Sequence, residues 1–148
     1  MVDRFEQFAA LISVAFRQVQ KLERAEMEKY GLKGAFAQYL RILARYPEGM
    51  TSAQLVEICD RDKAAISRVV AEMEEKGLVE RLGDGEHQYR AAIVLTTEGR
   101  RAADYVAERA TAIVAKAVDG LTDEARSVMY ASLELICSNL QKILPDNR

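Results

Sequence analysis

Apolar residues recur at alternating intervals of three and four near the start of the chain, at Phe5, Phe8, Ile12, Ala15, Val19 and Leu22. That spacing lines one face of an α-helix and suits packing along a second helix. Leu11 and Phe16 widen the stripe, no Gly or Pro interrupts Asp3 to Tyr30, and Gly31 supplies a stop. A second helix is predicted from about Lys33 to Tyr46, with Phe36, Tyr39, Leu40 and Leu43 inward and Pro47-Glu48-Gly49 ending it. Thr51 and Gln54 have the spacing of a capping box for a short helix that runs to Cys59. After the polar break Asp60-Arg61-Asp62, Asp62 is the expected cap of a helix from Lys63 to Lys76, which Gly77 stops. Two short apolar strands, Leu78–Leu82 and Tyr89–Leu95, then flank the turn-rich Gly83-Asp84-Gly85-Glu86. Thr96 or Thr97 caps a fifth helix ending near Asp119-Gly120. Thr122, followed by Asp123 and Glu124, opens a sixth that lasts to about Ile143.

Helix, break, helix and hairpin, in that order, describe a winged helix-turn-helix, in which the second helix can enter a major groove while the hairpin reaches the neighbouring backbone. The predicted fold is therefore mainly α with a small β-hairpin wing. Residues 1–31 form a dimerisation helix, residues 32–98 the DNA-binding lobe, and residues 99–148 further dimerisation helices. The lobe's expected core comprises Leu40, Leu43, Leu55, Ile58, Ile66, Val69, Met73, Leu78 and Val94. The flanking helices carry more apolar surface than one chain can cover, among it Phe5, Phe8, Ile12, Val128, Leu133 and Leu140. A symmetric dimer through these helices disposes of the remainder.

On the helix from Lys63 to Lys76, Ile66, Val69, Val70 and Met73 share one side and Lys63, Ala64, Ser67, Arg68 and Ala71 the other. The outer set combines small side chains, which permit close approach to base edges, with an arginine able to bond bidentately to guanine. Arg61 precedes the helix, and His87, Gln88 and Arg90 sit on the hairpin within reach of a phosphate backbone. The overall balance opposes this picture: 21 basic and 23 acidic residues give a net charge of −2. Binders of nucleic acid usually show a basic footprint, so the position of the cations has to carry the assignment.

Composition removes several classes. At 148 residues, 49% hydrophobic and 30% charged, the chain is neither disordered nor fibrous. No apolar run approaches the roughly 20 residues of a membrane span, and the acid-containing start lacks a signal-peptide core; a cytoplasmic protein is expected. Cys59 and Cys137 have no metal-like spacing, His87 is the sole histidine, and no Gly-rich phosphate loop or Ser-His or Cys-His set is present. Neither catalysis, a metal nor a cofactor is expected. Buried packing is the expected role of both thiols.

Three stretches resemble the multiple antibiotic resistance regulator (MarR) family: the segment around Arg68, Glu74-Glu75-Lys76-Gly77-Leu78-Val79-Glu80-Arg81, and Leu95-Thr96-Thr97-Glu98-Gly99-Arg100. The helix order fits over essentially the whole chain, and the specific motifs cover residues 51 to 101. Asp62-Lys63-Ala64-Ala65-Ile66-Ser67-Arg68 is similar to the family's recognition-helix start, with Ala64 and Ala65 where Ser and Thr are frequent. The resemblance implies a dimeric transcription regulator on a pseudo-palindromic double-stranded operator. It further implies a repressor released by a small aromatic or phenolic effector held by the first, second and fifth helices. Phe16, Gln20, Phe36, Tyr39, Leu43 and Tyr105 are the candidates for that pocket. The wing departs from the family pattern, since Glu86-His87-Gln88-Tyr89 stands where arginines are frequent and Arg90 is the nearest one. A winged-helix module that binds protein instead of DNA is the alternative.

Overall fold

A computed structural model describes residues 4–83 and 91–145. Six helices and one hairpin follow in the order α1 (Arg4–Lys29), α2 (Phe36–Ala44), α3 (Ser52–Cys59), α4 (Lys63–Glu75), β1 (Val79–Leu82), β2 (Ala92–Leu95), α5 (Thr97–Ala117) and α6 (Asp123–Ile143). The chain divides into two compact units, residues 1–111 and 112–148, so the boundary falls within α5.

Local chemistry sets the helix ends. At α3 the capping box is complete: the Gln54 amide donates to Thr51 Oγ1 at 3.2 Å, and the Thr51 amide donates to Gln54 Oε1 at 2.9 Å. Asp62 Oδ1 accepts from the Ala65 amide at 2.7 Å and so starts α4. Between these helices Asp60 takes up the left-handed conformation, φ 48°, which short polar side chains tolerate better than branched ones. Gly77, at φ 72°, closes α4, with its amide on the Glu74 carbonyl and that of Leu78 on the Met73 carbonyl. Thr96 is the cap of α5, its Oγ1 accepting from the Gly99 amide at 3.1 Å. The same hydroxyl donates to the Gly77 carbonyl, tying the end of α4 to the start of α5. Thr122 caps α6 through the Ala125 amide.

β1 and β2 pair antiparallel, Val79 opposite Leu95 and Leu82 opposite Ala92. Met50, just ahead of α3, bonds to Ile93 in both directions, at 3.1 and 2.8 Å. The root of the hairpin is thereby fastened to the helix pair.

One apolar core lies beneath these elements. Phe36, Leu40 and Leu43 of α2, Leu55 of α3, Ile66, Val70 and Met73 of α4, and Ile93 of β2 are almost wholly enclosed. Met27 of α1 and Ala102, Ala103 and Val106 of α5 join them. Ile58 departs from expectation: it is 47% exposed, and Cys59 is buried instead. Leu55 and Cys59 are four residues apart and share the inward face of α3, which turns position 58 outward. Val69 is only partly buried, packed on the core's margin.

Beyond the core, the apolar stripe of α1 is open to solvent, with Phe5, Phe8, Leu11, Ile12 and Phe16 all exposed. In the second unit α6 has no buried residue, and Val128, Leu135, Leu140 and Ile143 are exposed. Among the described residues no helix is long and apolar enough to cross a membrane.

Candidate nucleic-acid interface

The surface of α4 follows from how the helix is anchored. Ile66, Val70 and Met73 are buried, and with those three fixed against the core, residues half a turn away must face out. Lys63, Ala64, Ser67, Arg68 and Ala71 are all exposed. Arg61 is exposed in the preceding turn. No ion pair or hydrogen bond among the described residues engages the side chains of Arg61, Lys63, Ser67 or Arg68. Three cations therefore surround the amino-terminal half of α4, and the positive end of the helix dipole adds to their field.

The acids of α4 are handled differently. Glu72 pairs with Lys33 in the α1–α2 connection, and Glu74 with Arg81 of β1. Two of the carboxylates that weigh against a nucleic-acid surface are thus neutralised by neighbours one or two turns from the cationic half. This distribution reconciles the net charge of −2 with a locally positive face. His87, Gln88 and Arg90, the hairpin candidates, lie outside the described residues.

The six residues expected around an effector differ in burial. Phe36, Tyr39 and Leu43 belong to the core, at 1%, 5% and 2% exposure. Phe16 is exposed on α1, and Gln20 is half-buried. Tyr105 packs against Tyr30 with ring centroids 5.0 Å apart, and the Arg109 guanidinium lies over its ring. A cavity of about 360 Å³ does open between α1, α2 and α5, but none of the six lines it. Its wall is made of alanines and Val106, with Glu23, Arg41, Arg45 and Asp104 as the polar members.

Glu23 is the functional candidate that pattern reading missed. It is buried at 6% exposure with Oε1 3.1 Å from Arg41 Nε. Burial pushes its carboxyl above the usual range, and the Arg41 charge opposes that shift. The available signal was its spacing, since Glu23 lies four residues before Met27, the other buried residue of α1. Cys59 is buried beside Tyr39; burial raises its thiol, with Arg61 and Arg41 opposing. Burial likewise raises the Tyr39 hydroxyl, with Cys59 adding to the rise. Such a thiol stays protonated and poorly nucleophilic. Cys137 is free and exposed. Among the described residues no group of His, Cys, Asp and Glu is arranged to hold a metal ion.

No curated protein shows significant sequence similarity to the chain. Solved structures match it along nearly its whole length. A MarR transcriptional regulator from Methanosarcina mazei Go1 aligns with a TM-score of 0.82 at 23% identity, covering 94% of this chain and 99% of that one. A MarR-family regulator from Rhodococcus sp. RHA1 gives 0.73 at 24%, covering 92% and 97%. A MarR-family regulator from Listeria monocytogenes, solved in complex with 26mer DNA, gives 0.75 at 20%, covering 95% and 90%. Similarity at this level concerns the fold. The MarR family model itself matches residues 30–88, from the end of α1 through α2, α3, α4 and β1. Over that segment the chain is similar to the MarR family, and it shares the fold of these solved structures nearly end to end.

Proposed function

We propose that the protein is a homodimeric, sequence-specific regulator of transcription that binds a pseudo-palindromic double-stranded operator. The observation that carries this reading is the exposed face of α4, where small residues alternate with unpaired Lys63 and Arg68 while Ile66, Val70 and Met73 hold the helix down. Arg68 is assigned to a base edge, Lys63 and Arg61 to phosphates, and Ala64, Ser67 and Ala71 to close approach. His87, Gln88 and Arg90 are assigned to the backbone beside the groove. The family match and the DNA-bound Listeria relative support the assignment.

Two copies joined through α1 and the carboxy-terminal helices would set two α4 faces into successive major grooves about one helical turn apart. The exposed apolar stripe of α1 and the exposed Val128, Leu135, Leu140 and Ile143 of α6 supply the surface such a pairing needs. Repression, relieved by a small molecule, is the mode of regulation proposed. An effector would act by favouring one arrangement of the dimer over another.

Selection of bound duplexes from a random pool, followed by a salt titration on the winner, tests this reading. A DNA reader yields an enriched, roughly symmetric sequence and loses affinity steeply as salt rises, because each neutralised phosphate releases counterions. The excess of acid over base favours the alternative, a winged-helix module for protein partners. No enrichment and no salt dependence would decide for that alternative.

A further inference from the structure

The first turn of α5 is fastened to the ends of two other helices. Thr96, its cap, donates from its amide to the Leu78 carbonyl at 3.0 Å and from its hydroxyl to the Gly77 carbonyl. The Leu78 amide in turn bonds to the Met73 carbonyl of α4 at 2.9 Å. Gly99 lies so close to the Leu78 carbonyl that a Cβ there would have no room. One residue further, Arg100 Nη1 donates at 3.3 Å to the carbonyl of Ala44, the last residue of α2. A helix leaves its final carbonyls without partners of its own, and a cation there also meets the negative end of the dipole. Ala102, Ala103 and Val106 then bury α5 against the same core.

These contacts exceed what a helix start requires. The cap is complete once Thr96 Oγ1 accepts from the Gly99 amide, at 3.1 Å. The donations to Gly77, Leu78 and Ala44 all go to other elements. They grip α4 at its carboxy-terminal end, whereas the exposed Lys63–Ala71 face lies toward its amino-terminal end. α4 has 13 residues, so at about 1.5 Å per residue its ends are about 18 Å apart. A tilt of about 10° at the gripped end would shift the other by about 3 Å, close to the roughly 3.4 Å of one base-pair step. α5 itself continues without a break to Ala117, into the segment assigned above to pairing.

We propose that Thr96 and Arg100 are positioning residues that fix the separation of the two α4 faces in the dimer, and so the operator spacing it accepts. The inference rests on the proposed dimeric reading of DNA. Both side chains act through α4 and α2, not on the duplex. Removing either frees α4 to tilt against α5, and the loosened pair accepts half-sites at several separations.

Operators with one base pair added to or removed from the centre move one half-site by about 3.4 Å and about 35° against the other. The unaltered protein is expected to bind either about tenfold more weakly, the order of one lost base contact. Thr96→Val and Arg100→Met should bind the parent operator nearly as well as before, and both shifted operators with similar affinity. Thr96→Ser keeps the hydroxyl and should restore the discrimination. A stability defect alone would weaken binding to all three operators equally, and that result overturns the proposal. Discrimination unchanged in both variants also overturns it; should Thr96→Val fail to fold, Arg100→Met decides.

A second measurement needs no DNA. Spin labels at Ala71→Cys, in Cys137→Ser protein with Cys59 buried, report the separation of the two α4 copies. One narrow distance should broaden in Thr96→Val and Arg100→Met. An unchanged width, or no distance between copies, overturns the proposal. Broadening in a protein that selects no operator would uphold the positioning role and refute the reading of DNA.

Discussion

Arg68 and Ser67 were legible as surface residues from helical phase alone, and they are exposed. Their roles differ by what each can donate. A guanidinium can satisfy two acceptors of one guanine at once, so Arg68→Ala is expected to cost about 1–3 kcal/mol of operator affinity and relax one base position per half-site. Competition binding with single-base operator variants checks this, and equal loss on random DNA would reassign Arg68 to phosphate. Glu23 was not legible in the same way, because its environment is assembled by residues 18 and 81 positions further on, Arg41 and Asp104. Its raised proton affinity has a consequence for stability. The folded chain holds that proton more tightly than the unfolded one, so Glu23 contributes most below the ordinary carboxylate range, and the contribution is lost as pH rises through the raised value. Glu23→Gln lacks this titration. Its stability relative to the unaltered chain should therefore increase with pH across that window in urea unfolding; a constant difference would contradict the buried assignment.

At the scale of elements, caps and stops were the most transferable signals. The Thr51–Gln54 box, the Asp62 cap and the Gly77 stop are all formed as their spacing implied, because each depends on residues within one turn. Thr51→Ala should accordingly destabilise the fold by about 1 kcal/mol, measurable as a shift in the denaturation midpoint. Gly99 carries a requirement that spacing did not reveal. A Cβ at that position would sit 1.9 Å from the Leu78 carbonyl oxygen, which also accepts the Thr96 amide at 3.0 Å. In an open helix Gly→Ala gains about 1 kcal/mol. Here Gly99→Ala is expected to lose about 1–3 kcal/mol through forced separation of α5 from the β1 root. A rise in melting temperature would refute the close contact.

For the whole molecule, the decisive feature is apolar surface left uncovered. Ile12 is 43% exposed, within a stripe of similar side chains along α1, and single chains seldom leave large contiguous patches open without a partner. Ile12→Glu should reduce both self-association and operator binding while leaving the monomer's helix content intact. Sedimentation velocity beside circular dichroism measures both, and an unchanged mass would remove α1 from the proposed interface.

What the order of residues determined by itself was local or periodic: helix boundaries, the hairpin, the inward and outward faces of α4, and the family resemblance of residues 51 to 101. These depend on hydrogen bonds and side-chain phase within a few positions, which linear spacing encodes. Only the folded arrangement decided that Cys59 and not Ile58 is enclosed, that Glu72 and Glu74 are neutralised by Lys33 and Arg81, and that Gly99 abuts Leu78. It alone opened a cavity beside Glu23 and Arg41. Those outcomes depend on distances between segments far apart in the chain, and periodicity within a segment carries no information about which neighbour meets each face.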